Sequence, residues 1–193
     1  MKWIIGIDEV GRGPLAGPVV VSALVLPERF QLPDIVPIRD SKQLSEKQRE
    51  WWFEFVRKEK ILYAVARVTP SVIDRINISQ AANRAARKAL ERVRLLIPET
   101  VNVQIILDAG LKVGEVDGVA IRSEVKADER YPAVSLASIM AKVTRDRFME
   151  KLHTRFPNYG FNRHKGYGTK EHREAIRQQG ILSCHRRSFL DFI

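Results

Sequence analysis

Short apolar runs of strand length recur along this chain of 193 residues, and they limit the folds that it can adopt. Four of them begin at Trp3, Val19, Ile61 and Val103. Runs of five to eight apolar residues fit buried strands better than helices, which need at least ten to twelve residues. The first two runs follow each other closely, and helical patterns separate the later ones. This order predicts an α/β fold, with a central mixed sheet of five strands flanked by helices.

The segments between and after these runs have helical patterns. Ser45 to Gln48 is a capping box that opens a helix. An alanine-rich apolar stripe over 81–93 predicts a second helix, and a long helix is expected from 133 to 152. A fifth strand is expected at 119–121 and a short helix at 169–179. The length fits one domain over 1–193, with a basic helical C-terminal part over about 153–193.

The charge of the chain points to a polyanionic partner. The formal net charge is +10, and Met140 to Ile193 hold 12 Lys and Arg against 5 Asp and Glu. Basic residues bind phosphates by releasing condensed counterions, so these C-terminal bases are expected to contact nucleic acid. Cys184 is the single cysteine, which excludes an intramolecular disulfide. Without an apolar run of about 18 residues or a signal-peptide pattern, we expect a cytoplasmic monomer that does not bind membranes.

Four carboxylates are candidates for a catalytic site. Asp8 and Glu9 close the first apolar strand, Asp108 closes another, and Asp128 precedes the long helix. Ligands in open α/β sheets bind beyond the carboxyl ends of the strands, where Asp108 falls. Each acid also has a plainer interpretation, since Asp128 alone fits a helix-end acid and Asp108 alone fits a turn. Together they predict a four-carboxylate cluster.

Converging carboxylates would repel one another unless cations neutralised them. Oxygen ligands without histidine or cysteine favour Mg²⁺ or Mn²⁺, and two such ions can hydrolyse a phosphodiester. Zinc is disfavoured because the histidines have no recognised ligand spacing. They are His153, His164, His172 and His185.

Three further segments are candidates for substrate binding. The loop Gly11-Arg12-Gly13 allows close backbone approach and offers a forked donor to phosphate, although such a loop is often only a turn. The segment at 163–169 places Tyr167 among Lys165 and other bases, which suits stacking on a sugar or base. A basic loop with a surface tyrosine is the alternative. Lys42, in Asp40-Ser41-Lys42, is a weaker phosphate contact, and a turn explains it equally well.

These segments resemble the ribonuclease HII family, in order and over nearly the whole chain. The matching segments are 8–13 (DEVGRG), 16–23 (AGPVVVSA), 40–45 (DSKQLS), 126–128 (KAD), 132–149, 164–172 (HKGYGTKEH) and 185–189 (HRRSF). The resemblance implies a ribonuclease H-like fold with a helical C-terminal part. It also implies endonucleolytic hydrolysis that gives 5′-phosphate and 3′-hydroxyl ends, assisted by Mg²⁺ or Mn²⁺.

The resemblance assigns roles to matching residues. Asp8, Glu9, Asp108 and Asp128 match the four metal-binding carboxylates of the family. The loop Gly11, Arg12 and Gly13 matches the segment that reads the ribose 2′-hydroxyl at an RNA–DNA junction. Tyr167 matches the tyrosine that stacks on the neighbouring deoxyribose, and Lys42 matches a position near substrate phosphate. The implied partners are RNA/DNA hybrids and DNA duplexes that contain ribonucleotides.

The chain departs from the family at Glu129, where a small residue is more common, so a further charge is expected beside the metal site or in solvent. The sister type HIII is disfavoured, because its usual additional N-terminal domain has no room here. Two other functions stay open at this point. One is a non-catalytic nucleic-acid-binding domain, and the other is a DNA-cutting nuclease or recombinase of the same fold.

Overall fold

A computed structural model describes residues 2–33 and 44–192 of the chain. Its sheet has five strands in the order β3-β2-β1-β4-β5. They are β1 (Trp3–Val10), β2 (Val19–Pro27), β3 (Tyr63–Val68), β4 (Val103–Asp108) and β5 (Ala120–Glu124). Strand β1 is antiparallel to β2 and parallel to β4, so the sheet is mixed. This confirms the predicted sheet, and β1 ends at Val10, one residue beyond its two acids.

Helices cover both faces of the sheet and form most of the C-terminal part. They are α1 (Glu46–Lys58), α2 (Pro70–Ile76), α3 (Ile78–Arg94), α4 (Ala127–Arg130), α5 (Pro132–Arg155), α6 (Phe161–His164) and α7 (Lys170–Gln179). The capping box is confirmed, since the Ser45 hydroxyl accepts from the amide of Gln48 and the Gln48 side chain accepts from the amide of Ser45. Helix α2 was not predicted, because only its leading proline marks it.

Strand β1 is central because both of its faces are apolar. Ile5 and Ile7 pack with α3 on one face, while Ile4 packs with α5 on the other. Gly6 lies under the start of α5, and a Cβ there would come within 2.2 Å of the backbone of Ala133. Only glycine allows so close an approach. This contact brings the start of α5 against the strand that carries the first two acids.

The parallel pairing of β1 and β4 positions the acids. Ile7 pairs with Leu107, so Asp8 and Asp108 are the next residues along two neighbouring strands. The carboxyl ends of parallel strands meet at one edge of the sheet, where ligands bind in folds of this class. The register therefore places the two carboxylates side by side.

The C-terminal part has its own small core, which packs on the β1–β2 connection. Leu15 and Ala16 from that connection join Met149, Phe161 and Ile176 in this core. Ala16 also forms an isolated bridge with His185. None of the helices in the ranges 2–33 and 44–192 has both the length and the apolar composition to cross a membrane.

Candidate active site

A cleft of about 340 Å³ opens at the carboxyl ends of β1 and β4. Its lining combines acids, bases and one aromatic side chain. The residues are Asp8, Glu9, Val10, Gly11, Arg12, Gly13, Arg49, Asp108, Ser138, Lys142 and Tyr167. A larger groove of about 920 Å³ runs along α1, and Pro33 also lines it. Its lining contains no cluster of three metal-ligating side chains within the described residues, so the smaller cleft is the candidate site.

Three of the four predicted carboxylates converge in this cleft. One oxygen from each of Asp8, Glu9 and Asp108 lies within 4.8 Å of the others. Asp8 is only 3% exposed, and its Oδ1 accepts a hydrogen bond of 2.7 Å from the amide of Glu9. Oδ1 of Asp108 accepts from the amide of Ala127 at 3.2 Å. Backbone contacts thus hold two of the three carboxylates in place.

The electrostatics of the cluster favour neutralisation of its negative charges. Burial raises the pKa of Asp8 well above its ordinary value, and the charges of Glu9 and Asp108 raise it further. Burial also raises the pKa of Glu9, while the nearby guanidinium of Arg12 partly opposes this. Both shifts follow from holding negative charges together away from water.

The donor set fits a divalent cation. Oε2 of Glu9 is buried, and no described residue hydrogen bonds to it. A buried carboxylate oxygen without a partner is costly, and a bound cation would remove that cost. Carboxylate oxygens alone, with no thiolate or imidazole among them, suit Mg²⁺ or Mn²⁺.

Asp128 lies on α4, next to the cluster but not within it. It is buried, and the residue before it, Ala127, donates its amide to Asp108. The hydroxyl of Ser135 donates to the backbone carbonyl of Asp128. Glu129 instead pairs with the ammonium of Lys126 at 2.8 Å and is largely exposed. The added charge of Glu129 is therefore directed toward solvent.

The guanidinium of Arg12 crosses from the Gly11-Arg12-Gly13 loop to neighbouring segments. It lies 3.4 Å from Oε1 of Glu9, donates to the carbonyl of Gly110 at 3.4 Å, and reaches the hydroxyl of Ser79 at 3.2 Å. Gly13 faces Tyr167, since a Cβ on this glycine would lie 3.8 Å from Cε1 of the tyrosine ring. The loop and the tyrosine therefore form adjacent walls of the cleft.

The other predicted contacts have different surroundings. Tyr167 lines the cleft and is 45% exposed, so its ring is accessible. The ammonium of Lys165 pairs with Glu150 and donates to the carbonyl of Asn162 at 2.7 Å, and Lys165 does not line the cleft. Lys42 lies outside the described residues. The substrate roles of these two lysines remain predictions.

Sequence reasoning missed three polar side chains of the cleft. Ser138 and Lys142 lie four residues apart on α5, and Arg49 comes from α1. For the two residues of α5 the signal was present, because Ser138 and Lys142 stand one helical turn apart where the apolar first half of the helix ends. Lys142 pairs with Asp146 at 2.8 Å and still lines the cleft. The cleft therefore has basic walls around an acidic floor.

Comparisons with known proteins give one consistent family. The family model described as ribonuclease HII matches residues 5–192. A ribonuclease HII of Bacillus cytotoxicus is 45% identical over 189 residues, which cover 98% of this chain and 69% of that protein.

Two solved structures are similar along almost their whole length. Ribonuclease H2 of Pyrococcus horikoshii OT3 has a TM-score of 0.74 and 30% identity, over 97% of this chain and 94% of its own. Ribonuclease HII of Archaeoglobus fulgidus, solved in complex with PCNA, has a TM-score of 0.76 and 29% identity, over 100% and 95%. Sequence, fold and the carboxylate cleft agree, and the chain belongs to the ribonuclease HII family.

Proposed function

We propose that this protein is an endonuclease that hydrolyses the RNA strand of RNA/DNA hybrids and cuts on the 5′ side of ribonucleotides embedded in duplex DNA. One observation supports this most directly. The cleft places three converging carboxylates, one of them buried, beside the Gly11-Arg12-Gly13 loop and the ring of Tyr167. Such a site can hold cations at a phosphodiester while neighbouring groups contact the sugar.

Asp8, Glu9, Asp108 and Asp128 would hold Mg²⁺ or Mn²⁺. Two such ions would activate a water nucleophile and stabilise the negative charge on the leaving oxygen. The carboxylates bind and orient, while the basic walls, Arg49 and Lys142, attract the phosphate backbone. Release of the 3′-oxygen leaves a 3′-hydroxyl on one fragment and a 5′-phosphate on the other.

Selection of the RNA strand depends on the ribose 2′-hydroxyl, because no other local group distinguishes the two sugars. We assign its recognition to the Gly11-Arg12-Gly13 loop. Tyr167 would stack on the deoxyribose that follows, and Lys42 and Lys165 would contact phosphate, as predicted. The cellular roles that fit these activities are the start of ribonucleotide excision repair and the removal of primer RNA in the cytoplasm.

The proposal is tested with a labelled DNA duplex that contains one ribonucleotide. An all-DNA duplex and a uniform RNA/DNA hybrid serve as comparison substrates, each with Mg²⁺, Mn²⁺ or EDTA. The chain and its Asp8→Asn variant are assayed side by side, with Asp117→Asn, an exposed acid away from the cleft, as the matched control. We expect metal-dependent incision 5′ of the ribonucleotide, lost only in Asp8→Asn.

Other outcomes would contradict particular parts of the proposal. Cleavage of the hybrid alone would support the nuclease activity. It would contradict the proposed roles of Gly11, Arg12, Gly13 and Tyr167 in reading the RNA–DNA junction. Cleavage of the all-DNA duplex would indicate a DNA nuclease of the same fold. Tight binding without cleavage in any metal would indicate a non-catalytic nucleic-acid-binding domain.

A further inference from the structure

Two arginines are fully buried beneath the proposed substrate-reading loops. Arg145 lies on α5 and Arg186 lies near the C-terminus, and both have 0% exposure. Burying a guanidinium is costly unless its donors find acceptors. Neither has a carboxylate within 4.0 Å among residues 2–33 and 44–192. What they contact instead identifies their role.

All of their hydrogen bonds go to backbone carbonyls. Arg186 donates from Nη2 to Gly11 at 2.6 Å, from Nη1 to Arg12 at 2.8 Å and from Nε to Gly17 at 3.0 Å. Arg145 donates from Nε to the carbonyl of Pro18 at 3.1 Å and from Nη2 to that of Ala16 at 3.0 Å. Five carbonyls of the β1–β2 connection, which has no regular pairing of its own, are thereby satisfied.

Arg145 also joins this connection to the loop that carries Tyr167. Its Nη1 donates to the carbonyl of Lys165 at 2.9 Å. The amide of Leu15 donates to the carbonyl of Gly166 at 2.8 Å, so the two loops also bind each other directly. The arginine packs so closely that a Cβ on Gly11 would come within 2.3 Å of its Nε. One buried side chain therefore fixes both walls of the cleft relative to each other.

The arrangement leaves the opposite side of the loop for a ligand. The carbonyls of Gly11 and Arg12 are bound by Arg186, whereas no hydrogen bond between described residues uses the amides of Arg12 or Gly13. A planar guanidinium supplies several donors at fixed angles, which an ammonium group cannot do. Lysine would keep the positive charge but lose the simultaneous hold on separate carbonyls.

We propose that Arg145 and Arg186 are positioning residues, which set the Gly11-Arg12-Gly13 loop against Tyr167 and thereby determine the preference for a ribonucleotide within DNA. This inference rests on the proposed function. Neither side chain reaches solvent, so neither touches the substrate. Their effect comes through the loop backbone, and a displacement of about 1 Å at such a site can cost on the order of 100-fold in rate.

The test measures kcat/KM for the duplex with one ribonucleotide and for the uniform RNA/DNA hybrid, and takes the ratio of the two. The variants are Arg145→Lys and Arg186→Lys, and Leu90→Ala is the control, since it opens a cavity in the α3 core away from both loops. A loss of folded protein lowers both rates by the same factor and leaves the ratio unchanged. The ratio therefore separates positioning from mere destabilisation.

We expect the ratio to fall about tenfold or more in both lysine variants, and to stay at the wild-type value in Leu90→Ala. An unchanged ratio in folded lysine variants would overturn the inference. If a lysine variant does not fold, Asp74→Asn replaces it, because Asp74 anchors the amides of Arg187 and Ser188 from the exposed side. Failure of the wild-type chain to cut either substrate would instead refute the proposed function itself.

Discussion

The acids of the cleft and the buried bases around it experience opposite conditions. The buried bases are Arg145, His164, His172, His185 and Arg186. In the cleft, Oε2 of Glu9 has no hydrogen-bond partner among the described residues, and burial, together with the charge of neighbouring acids, raises the pKa of Asp8 and Glu9. Burial lowers the pKa of each of these bases. Unlike Oε2 of Glu9, however, their nitrogens form hydrogen bonds with backbone groups.

The histidines show how completely the polar groups of the buried bases are hydrogen bonded. Nδ1 of His185 accepts from the amide of Leu182 at 2.9 Å, so its proton is on Nε2 and is donated to Nε2 of His172 at 3.2 Å. His172 then donates from Nδ1 to the carbonyl of Tyr167 at 2.9 Å. These partners require neutral rings. This contrast indicates that a buried polar group without a partner marks a ligand site, whereas one with its partners in place has a structural role.

Removing one acid of the cleft should have the strongest consequence for activity. Asp8→Asn should lower kcat/KM by roughly 1000-fold, because a cation ligand is lost. In EDTA the same change should raise the free energy of unfolding by about 1–2 kcal/mol, since a repelling buried charge disappears. Urea denaturation with EDTA and with Mg²⁺ checks this. Mg²⁺ should stabilise the wild-type chain and Asp117→Asn but not Asp8→Asn, and equal stabilisation of all three would contradict the assignment.

The next effect in size is on the pH dependence of stability, which should have opposite sign for the acids of the cleft and for the buried histidines. The pKa of His172 and that of His185 are each lowered to about 4 from 6.5, so the unfolded chain binds protons first as the pH falls. Stability should therefore fall from pH 7 to pH 5, with a limit of roughly 3 kcal/mol per histidine at lower pH. The raised pKa of Asp8 acts the other way, since its protonation favours the folded state.

Urea denaturation at pH 7 and pH 5, in the Asp8→Asn background, removes the contribution of Asp8, and comparison with His185→Gln in the same background isolates that of His185. His185→Gln removes one titrating ring while keeping a donor and an acceptor. It should make the pH dependence shallower, whatever its effect on absolute stability. An equal slope with and without His185 would show that this histidine does not remain neutral in the folded chain.

A third, smaller effect is expected where the two regions meet, at Tyr167. Its carbonyl is held by His172 while its ring is exposed beside Gly13. Tyr167→Ala should lower kcat/KM on the single-ribonucleotide duplex about tenfold, through loss of stacking. Tyr167→Phe keeps the ring and should remain close to wild type. Thermal unfolding should barely change in either variant, and a large loss with Phe would assign the role to the hydroxyl instead.

Much of the sheet and the acidic floor could be predicted, because local patterns encode them. Short apolar runs identify β1 and β4, and their parallel pairing then brings Asp8 and Asp108 together. The capping box at Ser45 is equally local. Such features depend on neighbours in sequence or on one rule of sheet topology.

The buried bases could not be predicted in the same way. Arg145 and Arg186 were counted among the C-terminal bases expected to bind phosphate, and this was wrong, since both lie fully buried on loop carbonyls. Their acceptors in the β1–β2 connection are 127 to 175 residues away in sequence. His172 and His185 likewise come together only through tertiary packing. Residue type alone does not distinguish a surface arginine from one that holds a backbone.

The smallest expected effect comes from exposed ion pairs of the C-terminal part. Arg163 and Glu171 lie 3.3 Å apart, and both side chains are largely exposed. Glu171→Gln should change the free energy of unfolding by less than about 0.5 kcal/mol, because solvent screens the pair. Glu150→Gln is the matched variant, since its partner Lys165 is mostly buried, and it should cost more. If urea denaturation ranked the two in the reverse order, burial would not be what separates structural bases from surface charge in this part of the chain.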